Sequence, residues 1–340
     1  EIANIIGGDE LTLTISNEVI ARIAVQTCLQ SGLSAVYNKL LDFDSVDIYF
    51  RLIDRFAERT FREVLGAYEL IIPIGIQRLN GLIILNPQPD TKVRKGDKMI
   101  ILAEDDDELP EPNFEAAIIQ EEQVIDTVEQ LHNEAKKILL LGWNKQGFTI
   151  IRELDHYVEP GSVVTIMAEN ILTVQKELKD LEPQNNLSMD LIEGDITNRR
   201  TLNNFEIHDY SHILILSYSE RMPIQEADAH TLVTLMHLRD IKEKKKAQFT
   251  IVSEMLDVKN QTLAEVAQPD DFIISDQVIS LIISQLAENK ELKVVFDELF
   301  DSQGAEFYLK PVSLYLKEIV PVNFHTIMGS SLKRNEIAIV

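Results

Sequence analysis

Apolar residues recur every three to four positions in two stretches, one near each end of the chain. The first stretch, Asn17 to Leu29, predicts an amphipathic helix that Ser16 or Asn17 can cap. Its apolar face consists of Val19, Ile20, Ile23, Ala24 and Thr27. The second stretch keeps this face as Val278, Ile279, Ile282, Ile283 and Leu286. Both helices need an apolar partner surface.

These helices belong to an internal repeat. Ile15 to Tyr49 overlays Ile274 to Tyr308 without a gap, at a constant offset of 259 and with identity at 11 of 35 positions. Unrelated chains would share roughly two. A second match, at an offset of 263, pairs Phe61 to Gly66 with Phe324 to Gly329. So long a period predicts tandem domains and not a solenoid.

Each copy is predicted to run strand, helix, helix, strand. The first strands are Leu11 to Ile15 and Phe272 to Ile274, and the second helix of the first copy is Leu33 to Leu41. After a strand at Val46 to Leu52, the first copy continues through one helix and three more strands. These are Phe61 to Tyr68, Leu70 to Ile76, Leu82 to Leu85 and Lys98 to Leu102. The pattern indicates a small α+β lobe.

Between the two copies, short apolar strands alternate with amphipathic helices. The strands are Ile138 to Leu141, Val163 to Met167, Met189 to Ile192, Ile213 to Leu216 and Phe249 to Val252. The helices are Phe148 to His156, Arg199 to Phe205 and Gln225 to Asp240. Such alternation predicts a parallel, doubly wound Rossmann-like sheet with helices on both faces. The fold class is therefore α/β, with small α+β lobes on either side.

Five segments follow from this pattern. They are residues 1–43, the end of a first domain with its crossover helix; 44–112, its C-lobe; 113–136, a linker and connecting segment after Pro110; 137–290, a second Rossmann-like domain with crossover helix; and 291–340, a second, incomplete C-lobe. The repeat leads us to expect a doubly wound domain before the first copy too, and hence a fragment of a longer protein.

Composition narrows the functional classes. A formal net charge of −24 argues against nucleic-acid binding, which depends on clustered Lys and Arg. No stretch approaches the roughly 18 consecutive apolar residues of a membrane span. The single cysteine, Cys28, allows no internal disulfide and is expected to fill the core.

A glycine turn follows the first strand of the doubly wound segment. Gly142 and Gly147 occupy the first and third glycine positions of a dinucleotide-binding turn, but Asn144 replaces the second. A side chain there obstructs pyrophosphate, so a packing role is favoured over an NAD or ATP site. Glu169 could accept a ribose hydroxyl, and Asp195 could face the same crevice or cap the following helix.

Metal and catalytic patterns are weak. His208 and His212, and likewise His230 and His237, have helical spacing but no partners at transition-metal spacing. No sequence motif indicates a catalytic nucleophile, and we expect the chain not to be an enzyme. Glu104, Asp105, Asp106 and Asp107 offer hard oxygen ligands for calcium but lack the spacing of an EF-hand, so solvated linker charge is favoured over a calcium site.

Several motifs resemble the regulatory region of CASTOR/POLLUX-type ion channels. They include Ile5 to Asp44 with Gly7 and Gly8, the Ala103 to Asp107 run, Ile138 to Trp143 with its Gly-Trp turn, Gly194 to Thr197, and Asn323 to Ile339. The resemblance spans nearly the whole chain. It implies two tandem domains of the RCK type, which regulate potassium conductance, assembled as a tetrameric ring on the cytoplasmic side of a pore formed by the same chain.

The resemblance further implies gating by a ligand, with calcium ahead of a nucleotide. As a fragment, the chain is expected to self-associate, in the simplest case as a dimer, through the exposed crossover face of the first copy. Two alternatives stay open: a regulatory subunit of a separate potassium transporter, and a nucleotide-dependent oxidoreductase, which would need an intact phosphate turn and a general acid or base.

Overall fold

A computed structural model describes residues 16–42, 46–68, 71–104, 110–114, 119–125, 134–182, 184–267 and 269–339. The chain divides into two compact units. Unit 1 comprises Glu1–Asn38, His132–Lys290 and Phe300–Glu306, as far as these are described. Unit 2 comprises Lys39–Leu131, Glu291–Leu299 and Phe307–Val340, with the same restriction. The five-segment division remains a prediction.

Unit 1 contains the predicted doubly wound sheet. Its strands are β5 (Lys137–Leu141), β6 (Ser162–Ala168), β7 (Leu187–Glu193), β8 (His212–Ile215), β9 (Thr250–Met255) and β10 (Asp271–Ile274). Its helices are α1 (Ser16–Leu29), α4 (Gly147–Tyr157), α5 (Ile171–Glu177), α6 (Arg199–Asn203), α7 (Ile224–Lys245), α8 (Gln261–Ala267) and α9 (Ser275–Glu288). Helix α2 (Leu33–Leu41) runs across the boundary between the units. Helices α5 and α8 had not been predicted.

All six strands are parallel, in the order β10-β9-β8-β5-β6-β7. The order reverses direction at β5, so right-handed crossovers place α4 and α5 on one face and α6 to α8 on the other. The second face is sealed by α7, whose Leu235, Leu238 and Ile241 pack on Leu139 and Ile213. The first face lacks a crossover helix above β8 to β10.

Helix α1 fills that position. It packs against α4 and against β8, β9 and β10. Ala21, Val25 and Cys28 are each at most 1% exposed, because they lie between the sheet and the neighbouring helices. The expectation that the first copy presents an exposed crossover face is therefore wrong: the second copy's own Rossmann-like domain covers it.

Unit 2 contains a four-stranded antiparallel sheet. Its elements are β1 (Asp47–Leu52), α3 (Phe61–Leu65), β2 (Ile72–Gln77), β3 (Ile83–Leu85), β4 (Lys98–Ala103), α10 (Leu292–Leu299) and α11 (Phe324–Leu332). The strand order is β1-β4-β2-β3. Met328 and Leu332 of α11 join the core formed by α3 and the sheet, so elements of both repeat copies share one core.

The repeat also misled at one place. It predicts a strand for the second copy at the equivalent of β1, but residues 305–311 form no strand. Strand β1 is held by β4, whose backbone pairs with it from Asp47 to Leu52. Tyr308, in the middle of the corresponding segment of the second copy, is 53% exposed.

The prediction for the single cysteine was confirmed. Cys28 is buried, and desolvation raises the pKa of its thiol to about 12, so it is inert. Among the helices of the described residues, none combines the length and apolar content needed to cross a membrane. Helix α7 ends at Lys245, and Lys246 adopts the left-handed conformation that commonly ends a helix.

Candidate functional site

Both glycines of the turn are required by packing. Gly142 has a φ of +88°, and a β-carbon there would lie 2.5 Å from the carbonyl oxygen of Leu216. A β-carbon at Gly147 would lie 2.6 Å from the ring of Trp143. That ring is 2% exposed, and its Nε1 donates to Glu177 at 2.5 Å. The glycine pattern thus has a full explanation without a ligand.

Asn144 satisfies the turn internally. Its Oδ1 accepts from the amide of Gln146 at 3.0 Å, and its backbone carbonyl accepts from the amide of Gly147 at 3.0 Å. Its Nδ2 donates to the carbonyl of Ser217 at 2.9 Å and to Oε2 of Glu254 at 2.8 Å. Amides at the start of a helix are the groups that bind phosphate in such turns. Here Asn144 occupies two of them.

Glu254, at the end of β9, is the central group beneath the turn. It is 1% exposed, and it accepts hydrogen bonds from Asn144, from the amide of Ser217 at 3.1 Å and from Oγ of Ser275 at 2.8 Å. Burial raises the pKa of its carboxyl, while these donors and the side chain of Gln146 oppose that rise. The sequence analysis missed this residue.

Glu169 and Asp195 lie at the same edge of the sheet, after β6 and β7. Glu169 is exposed. Burial, followed by the Glu169 carboxylate, raises the pKa of the Tyr218 hydroxyl. Asp195 accepts from the amide and hydroxyl of Thr197, at 2.8 and 2.6 Å, and so shapes the turn before α6. The cap of α6 is Asn198, which accepts from the amide of Arg200.

Of the four predicted calcium ligands, the structure describes one. Glu104 is exposed, while Asp105, Asp106 and Asp107 lie outside the described residues. Within the described ranges, no group of three or more His, Cys, Asp and Glu side chains could hold a metal ion. His208 is exposed beside Glu206 and Asp209, whereas His212 is largely buried and bonds to Thr250 at 2.9 Å.

The two repeated helices differ on one face. Both bury the positions of Ile23 and Gln26, which correspond to Ile282 and Gln285. The other face of α1, formed by Ala21, Ala24, Val25 and Cys28, is at most 2% exposed. The corresponding residues of α9, namely Ser280, Ile283, Ser284 and Ala287, are all exposed, Ile283 by 55%. The equivalent face is therefore covered on α1 and uncovered on α9.

The fold is similar to that of a solved gating ring. The human SLO3 gating ring superposes with a TM-score of 0.58 at 14% identity, covering 84% of this chain and 61% of that one. The GsuK channel bound to NAD has a TM-score of 0.41 at 15% identity, covering 84% of this chain and 44% of that one.

Sequence comparison supports the resemblance to CASTOR and POLLUX channels. Residues 17–119 match the family model described as Castor and Pollux, part of voltage-gated ion channel. The probable ion channel CASTOR of Oryza sativa subsp. japonica is 27% identical over 99% of this chain. The probable ion channel POLLUX of Arabidopsis thaliana is 26% identical, also over 99%. The predicted resemblance is confirmed: this chain is similar in sequence to the CASTOR and POLLUX ion channels.

The match is to part of those proteins, since the chain spans 42% of the rice protein and 45% of the Arabidopsis protein. Because the relatives are ion channels and not enzymes, they support the prediction that the chain has no catalytic role.

Proposed function

We propose that this chain is a ligand-sensing module of a cation channel of the potassium type. In this proposal it forms part of a tetrameric gating ring on the cytoplasmic face of the membrane and transmits ligand binding to a pore in the same protein. The observation that carries the proposal is the match of 99% of the chain to CASTOR and POLLUX channels.

The repeated helices support an assembling role. Helix α1 demonstrates what this module does when its partner is present: a Rossmann-like sheet and α4 cover its small residues. Helix α9 carries the same module with Ile283 exposed. Its uncovered face fits a further Rossmann-like domain of the same kind. Burying such a face in one state and not in another is a way to couple ligand binding to movement.

Calcium is the proposed ligand, through Glu104, Asp105, Asp106 and Asp107. A nucleotide at Gly142 to Gly147 is the less favoured alternative, because Asn144 already bonds the amides of that turn. The strongly acidic chain also favours cations over anionic ligands in general.

Thermal unfolding tests the ligand directly. The chain is heated with calcium, magnesium, NAD, NADH, ATP or ADP. A ligand at 100 times its dissociation constant adds about 2.7 kcal/mol of stability, which moves the melting midpoint of a protein of this size by a few degrees. We expect a calcium-specific rise that is lost when Asp105, Asp106 and Asp107 are all changed to Asn.

The matched control changes the exposed carboxylates Glu121 and Glu122 to Gln, which alters net charge at another acidic site and should leave the calcium response intact. A shift with a nucleotide alone, or no shift with any ligand, contradicts calcium sensing by this chain.

A further inference from the structure

We propose that Asn144 is a built-in occupant of the phosphate position of the Gly142–Gly147 turn, and that Glu254 locks it there and ties the turn to the start of α9. This inference concerns the interior of unit 1 and does not depend on the channel function.

The first step is the occupation of the turn. A phosphate binds such a turn through free amides at the helix N-terminus. The amides of Gln146 and Gly147 already donate to the side chain and the backbone carbonyl of Asn144, each at 3.0 Å. A phosphate would have to displace both bonds, and it would also approach the buried carboxyl group of Glu254.

The second step is that hydrogen bonds hold the Asn144 side chain in one orientation. Asn144 is 3% exposed, and its side-chain orientation is fixed because Nδ2 donates to Ser217 and Glu254 while Oδ1 accepts from Gln146. Glu254 receives donors from three separate segments of the chain: the turn after β5, the end of β8 and the start of α9. Loss of a partner at such a buried site is costly, because the group left behind is desolvated and unpaired.

The third step is the connection to α9. Ser275 is the first residue of this helix, it is 3% exposed, and its Oγ donates to Oε1 of Glu254. Asn144 and Ser275 thus bind the two oxygens of one carboxylate. A change at either residue alters the position of the carboxylate for the other. The turn and α9 are therefore coupled through Glu254, without an external ligand.

Hydrogen exchange followed by mass spectrometry tests this coupling in the intact chain. Ser275→Ala should speed exchange of the amides of Gln146 and Gly147 by about tenfold, a typical consequence of losing one buried hydrogen bond. The matched control is Ser280→Ala on the same helix, since the Oγ of Ser280 donates to the carbonyl of Asp276 at an exposed site. Ser275→Thr restores the hydroxyl and should restore slow exchange.

The coupling should also work from the turn to the helix: Asn144→Ala should speed exchange in the first turn of α9. If Ser275→Ala leaves the amides of Gln146 and Gly147 as protected as Ser280→Ala does, the coupling is absent and the proposal fails.

The same measurement with added pyrophosphate tests whether Asn144 fills the phosphate position. Added protection at Gln146 and Gly147 in the unchanged chain would show that the position is free and would overturn the proposal. Since neither readout involves calcium, failure here is distinguishable from failure of the calcium proposal.

Discussion

Trp143 lies against Gly147 so closely that a single added methyl group would meet its ring at 2.6 Å. The ring is buried, and its Nε1 is held by Glu177 at 2.5 Å. It therefore has little freedom to move away.

We expect Gly147→Ala to destabilise unit 1 by about 1–3 kcal/mol, the usual range for overpacking a rigid core. Urea unfolding followed by the fluorescence of Trp143, the single tryptophan, reports on this unit. Gln175→Ala, at an exposed position of α5 in the same unit, is the control and should change stability only slightly. Equal effects of both substitutions would contradict the packing explanation of the turn.

Asp271 fixes the beginning of α2. Its Oδ2 accepts from the amides of Gly32 at 2.6 Å and Ser34 at 3.5 Å, and its Oδ1 accepts from Oγ of Ser34. Asp271→Asn replaces one acceptor by a donor, so we expect a loss of about 1–2 kcal/mol in the free energy of unfolding. The exposed Glu288→Gln serves as control and should lie within about 0.5 kcal/mol of the unchanged chain. A similar small loss for Asp271→Asn would show that this cap is dispensable.

His212 makes the stability of unit 1 depend on pH. Burial, followed by the charge of Lys136, lowers its pKa from 6.5 to about 4. The unfolded chain therefore binds a proton that the folded chain does not, and stability falls as pH decreases from 6.5 towards 4. The loss from this residue is up to about 3 kcal/mol.

We expect His212→Asn to flatten this part of the curve, measured as the urea midpoint between pH 7.5 and pH 5. The exposed His208→Asn should leave the curve as it is. An unchanged slope in the His212 variant would show that other groups cause the acid sensitivity.

The two repeated helices allow a comparison at matched positions. Ala24 is 2% exposed on α1, whereas its repeat partner Ile283 on α9 is 55% exposed. We expect Ala24→Gln to cost about 2 kcal/mol or more, because a longer polar side chain must enter a packed site. Ile283→Gln should change stability by no more than about 0.5 kcal/mol. Urea unfolding checks both values, and comparable losses would mean that α9 is covered in solution by a partner, such as a second copy of the chain.

Much of the fold could be predicted because local pattern and final packing agree. The helix of Leu33 to Leu41 was found at its observed bounds, and β4 differed from its prediction by one residue. Helix α5 was missed since its only buried residue is Val174, which leaves no apolar face to recognise. The false strand at 305–311 shows the limit of a repeat argument: a strand needs a partner that the sequence pattern alone does not supply.

The candidate site was predictable only in its local part. Asn144 was recognised as an obstacle to pyrophosphate because it interrupts a known glycine pattern. Its partner Glu254 could not be found in the same way, since the two residues are 110 positions apart along the chain. One signal was available: Glu254 follows the apolar run of β9, where an ionisable residue is unusual and implies buried polar partners.

The chemistry of Cys28 gives the chain an experimental advantage. Its thiol, on α1, is buried and is a very poor nucleophile at neutral pH. A cysteine introduced on the surface, for example in place of Ile283, would therefore be the only thiol to react with a maleimide dye or a spin label under native conditions. The wild-type sequence is already a suitable background for distance measurements, without removal of its native cysteine.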